Sequence, residues 1–199
     1  MFSKRLLIKK WFAYFVLSLG MVACSTVQSD TSASNYENIV AHFSDRAEFY
    51  EGFTNVFQFQ ATVLNETVLK SQIEKRAQSY SWTATQKADE EAKMRDSLNK
   101  QTTIFLSFYS PEPKIDDLER AQSLWRVFLD VNNKRYIGTV SKYVGVRDET
   151  MMFFPYYTRF SSAYTIKFLV PMVEIQHYPM KLTLTGTIGS DSINFAPMQ

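Results

Sequence analysis

The chain has one cysteine, two histidines, six glycines and six prolines among 199 residues, and each shortage closes off a kind of chemistry. A single thiol forms no intramolecular disulfide. Two histidines, His42 and His177, and one cysteine are too few for the ligand set a zinc site draws on. His42 falls on the polar face of an expected helix and His177 in an expected surface loop, so neither suggests catalysis. The glycines form neither a dinucleotide fingerprint nor a P-loop with its lysine, and the nucleophile motif Gly-x-Ser-x-Gly is absent. Basic residues are scattered among acids with no stripe interleaved with aromatics, which argues against nucleic acid as a partner. No apolar run reaches the roughly 20 residues that a membrane-spanning helix needs.

What the chain does have begins at its start. Residues 1–23 carry Lys4, Arg5, Lys9 and Lys10 and no acid, followed by an apolar stretch from Trp11 to Val22 broken by Ser18 and Gly20. A basic start, a short apolar middle and a small residue before the cut are the layout of a secretory signal. Its end, Met21-Val22-Ala23-Cys24, resembles the lipobox of bacterial lipoproteins, in which an aliphatic residue and two small residues precede a cysteine. Met21 stands where that family usually has leucine. The resemblance implies cleavage before Cys24, which then carries a diacylglycerol on sulfur and a fatty acid, of the palmitate type, on its amine. Three acyl chains, at about 0.8 kcal/mol per buried methylene, anchor a protein firmly to a bilayer. Acylation would cap the lone thiol and remove it as a nucleophile. Ser25 stands where an aspartate would signal inner-membrane retention in many Gram-negative lipoproteins, so the resemblance favours the outer membrane. The alternative is an ordinary cleaved signal with its cysteine at the cut by chance.

Taking the four basic leader residues from the 22 basic and 20 acidic residues of the chain leaves 18 against 20, a formal charge of −2. The basic character therefore belongs to the leader. Cys24 to Asn35 is dominated by Ser and Thr with Gln, Asp and Asn, a composition that buries too little apolar surface to pack, and reads as a tether. Residues 36–199 are long enough for one core and are expected to form a single domain.

Within that domain, Ser34 and Glu37 have capping-box spacing, and Tyr36, Ile39, Val40, Phe43, Ala47 and Tyr50 recur at helical period, predicting a helix over 36–51. From Phe53 to Asn65 the period changes to two, with Phe57, Phe59, Ala61 and Val63 on one face and Gln58, Gln60 and Thr62 on the other, predicting a long half-buried strand. Glu66 to Lys100 is rich in helix formers, with a break near 79–83. Thr83 and Gln86 suggest a capping box, and Asp89/Lys93 and Glu91/Arg95 are candidate ion pairs four residues apart. Asn65-Glu66-Thr67 matches a glycosylation sequon, but Asn65 serves better as a helix cap. The remainder reads as short strands over about 103–109, 125–131, 135–144, 151–157, 163–170, 181–188 and 192–195, with a hairpin turn at Asn132-Asn133. A short helix is expected over 116–124. About seven or eight strands of this kind fit an antiparallel β-sandwich with an N-terminal helix and a helical insertion after the first strand. A β-barrel is the runner-up.

Candidate chemistry is sparse. Asp130 opens a poor calcium-loop match spoiled by Lys134, and Asp116, Asp117 and Glu119 fit the start of a helix without any ligand. No metal or organic cofactor is expected beyond the lipid on Cys24. The aromatic run Met151 to Tyr157 has two readings: a strand buried on both faces, or an exposed platform of Phe154, Tyr156 and Tyr157 for a glycan or protein. The functional expectation is a lipid-anchored, non-enzymatic envelope lipoprotein that binds an envelope protein or joins an assembly, with the lipid bilayer as its first partner. A lipid-anchored hydrolase or glycan-binding module acting on cell-wall or surface polymers is the alternative.

Overall fold

The computed structural model describes residues 31–198. The leader, the lipobox and Cys24, with the tether up to residue 30, lie outside the described residues. Among the described residues there are nine strands and five α-helices, and no helix is long and apolar enough to cross a membrane. Helix α1 (Thr31–His42) leads into strand β1 (Ser44–Glu51), which turns back as β2 (Thr54–Val63). Helices α2 (Glu66–Ser79) and α3 (Ala84–Leu98) follow, then β3 (Thr102–Tyr109), β4 (Trp125–Val131), β5 (Lys134–Ile137) and β6 (Thr139–Lys142). Helix α4 (Arg147–Phe153), β7 (Ser162–Phe168), the short α5 (Met172–Ile175), β8 (Met180–Gly186) and β9 (Gly189–Phe195) complete the fold.

All pairings are antiparallel. One sheet has the order β1-β2-β3-β7-β6 and the other β5-β4-β8-β9. Period-two alternation explains what lies between them. Phe57, Phe59, Ala61 and Val63 of β2 and Ile104, Leu106 and Phe108 of β3 are buried with Trp125, Val127 and Leu129 of β4 and Leu182 and Leu184 of β8 in one core. Each fully buried side chain of this size contributes roughly 1.5–3 kcal/mol. The fold is thus an antiparallel β-sandwich with helical additions. The sheets meet along both sides without closing into a barrel. On one side β5 runs into β6 through Gly138, whose N–H still bonds the Val127 carbonyl (2.8 Å) of one sheet while the next residue, Thr139, pairs with Lys167 of the other. On the other side β1 lies against β9, with the Asn194 N–H donating to Asp45 Oδ2 (3.0 Å).

The helical insertion forms as its end signals dictate. The Asn65 side chain accepts from the Val68 N–H (2.9 Å), and the Thr83/Gln86 capping box is complete. Ile73, Met94 and Leu98 carry the main core out under these two helices. Arg95 pairs with Glu91 as expected (2.9 Å), whereas Lys93 reaches Glu90 rather than Asp89 (2.6 Å). At the β4–β5 hairpin Asn132 and Asn133 both have positive φ, 48° and 59°, the geometry of a type I′ turn.

Four expectations are corrected. The strand expected over 135–144 is two strands, β5 and β6, which part at Gly138 and belong to different sheets. The helix expected over 36–51 starts at Thr31 and stops at His42, and its second half is β1. The Ser44 hydroxyl donates back to the Val40 carbonyl (2.6 Å) and meets the Thr62 hydroxyl (2.6 Å), which satisfies the end of the helix and opens a strand in register with β2. The insertion consequently follows the second strand. Residues 151–157 are not a strand: α4 ends at Phe153, and Phe154, which precedes Pro155, takes an extended conformation (φ −132°, ψ 84°), as a residue before proline must when the α region is closed to it. The helix expected over 116–124 is absent, and one 3-10 turn at Pro113–Ile115 takes its place.

Candidate binding groove

The outer face of the five-stranded sheet is covered over one half only. Tyr36 and Val40 of α1, Phe153 of α4 and Phe154 pack on Phe105 of β3 in a second, smaller core, flanked by Leu64, Tyr143, Tyr156 and Tyr157. Phe154 lies flat on Phe105, and the Tyr36 hydroxyl donates to the Phe153 carbonyl (2.8 Å). A chain of hydroxyls joins this lid to the sheet: Tyr156 meets Thr62 (2.6 Å), and Thr62 meets Ser44. Burial raises the Tyr156 phenol far above its ordinary range, so it remains protonated.

The uncovered half is a groove of about 380 Å³. Its floor follows from strand register: Arg46 stands opposite Gln60 and Gln60 opposite Ser107, while Glu48 stands opposite Gln58 and Gln58 opposite Tyr109. Side chains two apart on a strand share a face, so these six form a two-by-three array across β1, β2 and β3. The Arg46 guanidinium donates to Glu48 Oε1 (2.6 Å), and the Tyr50 hydroxyl donates to Glu48 Oε2 (3.3 Å). Gln58 and Gln60 are half-buried, and no hydrogen bond within the described residues engages either amide. One wall is the segment from Tyr156 to Ser161, tied by Ser161 N–H to Thr158 O (3.1 Å) and by Phe160 N–H to Thr158 Oγ1 (3.3 Å). This turn holds Phe160 out with 68% of its surface exposed.

The three aromatic residues singled out from sequence are gathered next to this groove, but not as a platform. Phe154 is 1% exposed and belongs to the packing of the lid, which corrects its expected place on a binding surface. Tyr156 turns its ring toward the groove while its hydroxyl is occupied by Thr62. Tyr157 is half-buried against Phe105. Within the run Phe153 and Phe154 are buried, at the end of a short helix and just after it rather than in a strand, while Met151 is 42% exposed. In the sequence Gln58 and Gln60 read only as the polar face of a strand. What sequence could not show is that β1 would bring Arg46 and Glu48 beside them.

A second polar cluster lies at the end of β6 and β7. The Lys142 ammonium donates to the Tyr164 hydroxyl (2.9 Å) and to Ser162 Oγ (3.1 Å), while Asp116 accepts from the Tyr164 hydroxyl (2.6 Å) and from Ser162. Burial first, and the neighbouring Asp116 carboxylate second, push the Tyr164 phenol far up. The members satisfy one another and join the edge strand β6 to the segment after β3, a structural role. Asp116 is thereby a hydrogen-bond acceptor for the sheet, not the start of a helix. Asp130, the weak calcium candidate, is held by both guanidinium arms of Arg135 (2.7 and 2.8 Å). His42 packs edge-on against Phe43 at 4.8 Å between centroids, and His177 is exposed. Among the described residues no group of three or more His, Cys, Asp or Glu is placed to hold a metal.

No family model matches the sequence, and no curated protein matches it. The chain is similar in structure to a novel protein of unknown function from Burkholderia pseudomallei K96243, at 12% identity over 84% of each chain with a TM-score of 0.46. At that distance nothing passes from that protein to this one.

Proposed function

We propose that this chain is a lipid-anchored envelope lipoprotein whose domain acts as a non-enzymatic binding module, with the groove on the five-stranded sheet as its binding surface. The anchor reading rests on the Met21-Val22-Ala23-Cys24 sequence behind a basic and apolar leader, and Ser25 favours the outer membrane. The observation that carries the binding reading is the two-by-three array of polar side chains on an uncovered half of a sheet face, walled by a hydrogen-bonded turn. Its amides and hydroxyls hydrogen-bond both ways, and Arg46 and Glu48 engage each other, an arrangement suited to holding a ligand. Pockets with a few convergent polar groups are the usual place for such contacts.

Two experiments test the two halves. Metabolic labelling with palmitate should mark the wild-type chain and leave Cys24→Ala unlabelled and unprocessed; label on the variant would overturn the anchor. For the groove, Thr158 is replaced in cells by the photo-crosslinking residue benzoylphenylalanine. Irradiation of envelopes should give an adduct that disappears when Gln58→Ala and Gln60→Ala are added. Absence of any adduct, or one indifferent to those substitutions, would overturn the binding role.

A further inference from the structure

We infer that the groove takes an uncharged oligosaccharide; this rests on the groove being a binding site and names the class of its ligand. The first argument concerns the backbone. The middle floor strand β2 is hydrogen-bonded to β1 on one side and β3 on the other, so the centre of the floor offers side chains and no free backbone N–H or C=O, and the edge strand β1 has β9 along its outer side. An extended peptide carries one backbone donor and one acceptor per residue and binds sheets by adding to an open edge. On this face it would leave those groups without the ladder they need.

The second argument concerns the partners that are present. Gln58 and Gln60 each offer a carbonyl oxygen and an NH₂ group, and Ser107 and Tyr109 add hydroxyls, so four of the six floor residues both donate and accept. Sugar hydroxyls do the same, and groups of this kind match them in either direction. Charge points the same way. The charged residues of the floor are Arg46 and Glu48, bound to each other at 2.6 Å, while on the wall Arg159 lies over the ring of Phe160. A polyanion would meet Glu48 and find Arg46 already neutralised, and a polycation would meet the reverse.

The third argument is Phe160. A singly exposed apolar side chain is ordinary, and what distinguishes Phe160 is its place on the wall of the groove, beside the polar floor. Arg159 lies over its ring at 4.7 Å and the side chain still remains 68% exposed. The C–H face of a sugar ring supplies an apolar cover while its hydroxyls reach the amides. A flat aromatic beside convergent polar groups suits a molecule with both characters. The volume of about 380 Å³ is at the lower end of the roughly 300–1,000 Å³ of small-molecule sites, which fits a short stretch of a glycan strand.

Full-length acylated protein in detergent micelles is titrated by calorimetry with chitohexaose, cellohexaose and maltohexaose, and with oligogalacturonate as the anionic counterpart. At least one neutral hexamer should bind, with oligogalacturonate weaker by about tenfold or more. Gln60→Ala and Phe160→Ala should each raise the Kd for the neutral ligand about tenfold or more without moving the melting temperature. The inference is overturned if no neutral hexamer binds, if oligogalacturonate binds as well, or if neutral binding survives both substitutions. A Thr158-position crosslink to a protein, together with no saccharide binding, sinks the glycan and leaves the binding role standing. Neither adduct nor saccharide binding sinks both.

Discussion

The ring of Phe154 lies face to face on that of Phe105, with centroids 3.5 Å apart and planes 1° apart. The contact fastens the segment after α4 to the outer face of β3, and with it the Tyr156–Ser161 wall of the groove. Phe154→Ala removes a side chain that is 1% exposed and leaves Phe105 facing a void. It is expected to destabilise the domain by about 3–5 kcal/mol, read from the urea midpoint at unchanged m-value. A loss under 1 kcal/mol would mean that the lid is not packed as described.

Gly138 is where the chain passes from one sheet to the other. A Cβ there would lie 2.7 Å from Ile166 Cγ2 and 3.0 Å from Phe168 Cε1, two side chains that are themselves fully buried. Gly138→Ala should therefore cost about 1–3 kcal/mol through overpacking, and Gly138→Val more. Chemical denaturation of both variants checks the order. By contrast, Gly52 at the β1–β2 turn has φ 61° and open space around it, so an Ala there meets backbone strain and no clash.

The tyrosines set the alkaline limit. Burial raises the phenols of Tyr36, Tyr156 and Tyr164 far above their ordinary range and that of Tyr143 less far. Their folded values exceed the unfolded value of about 10, so the stability they contribute is whole below about pH 10. It is lost as the pH climbs from there toward the folded values. As alkali is added, phenolate absorbance from these buried tyrosines should appear only together with unfolding seen by circular dichroism. Titration of the buried tyrosines in a still-folded domain would contradict this.

At the other polar cluster, Tyr164→Phe removes a hydroxyl that donates to Asp116 and accepts from Lys142. Asp116 keeps Ser162, and Lys142 keeps the solvent, so the expected cost is about 1–2 kcal/mol. Because the cluster is structural, the groove crosslink from position 158 should be unaffected. A variant that folds normally yet loses that adduct would mean that the cluster takes part in binding.

Most of the strands were legible because their signal is local. Trp125, Val127, Leu129 and Val131 alternate with Arg126 and Asp130 in a run that is β4 residue for residue, and the Asn132-Asn133 turn and the caps at Asn65 and Thr83 lie where side-chain chemistry demands. The errors fall where local signals conflict. Ala47 and Tyr50 continue the helical period of Tyr36, Ile39, Val40 and Phe43, and only pairing with β2 decides that they form a strand. Met151 to Tyr157 is rich in strand-forming aromatics, yet Pro155 and the demand of Phe105 for a cover make it a short helix and a turn.

The amino-acid order alone settled the caps, the hairpin turn and the inward faces of strands such as β2 and β4, since each depends on residues a few positions apart. The groove was decided by tertiary structure. Gln58 and Gln60 acquire Arg46 and Glu48 as neighbours through the β1–β2 register, Ser107 and Tyr109 through β3, and a wall from residues 156–161, about a hundred positions away. Which half of a sheet face is left uncovered depends on where distant aromatics find one another, and no periodicity in the chain encodes that.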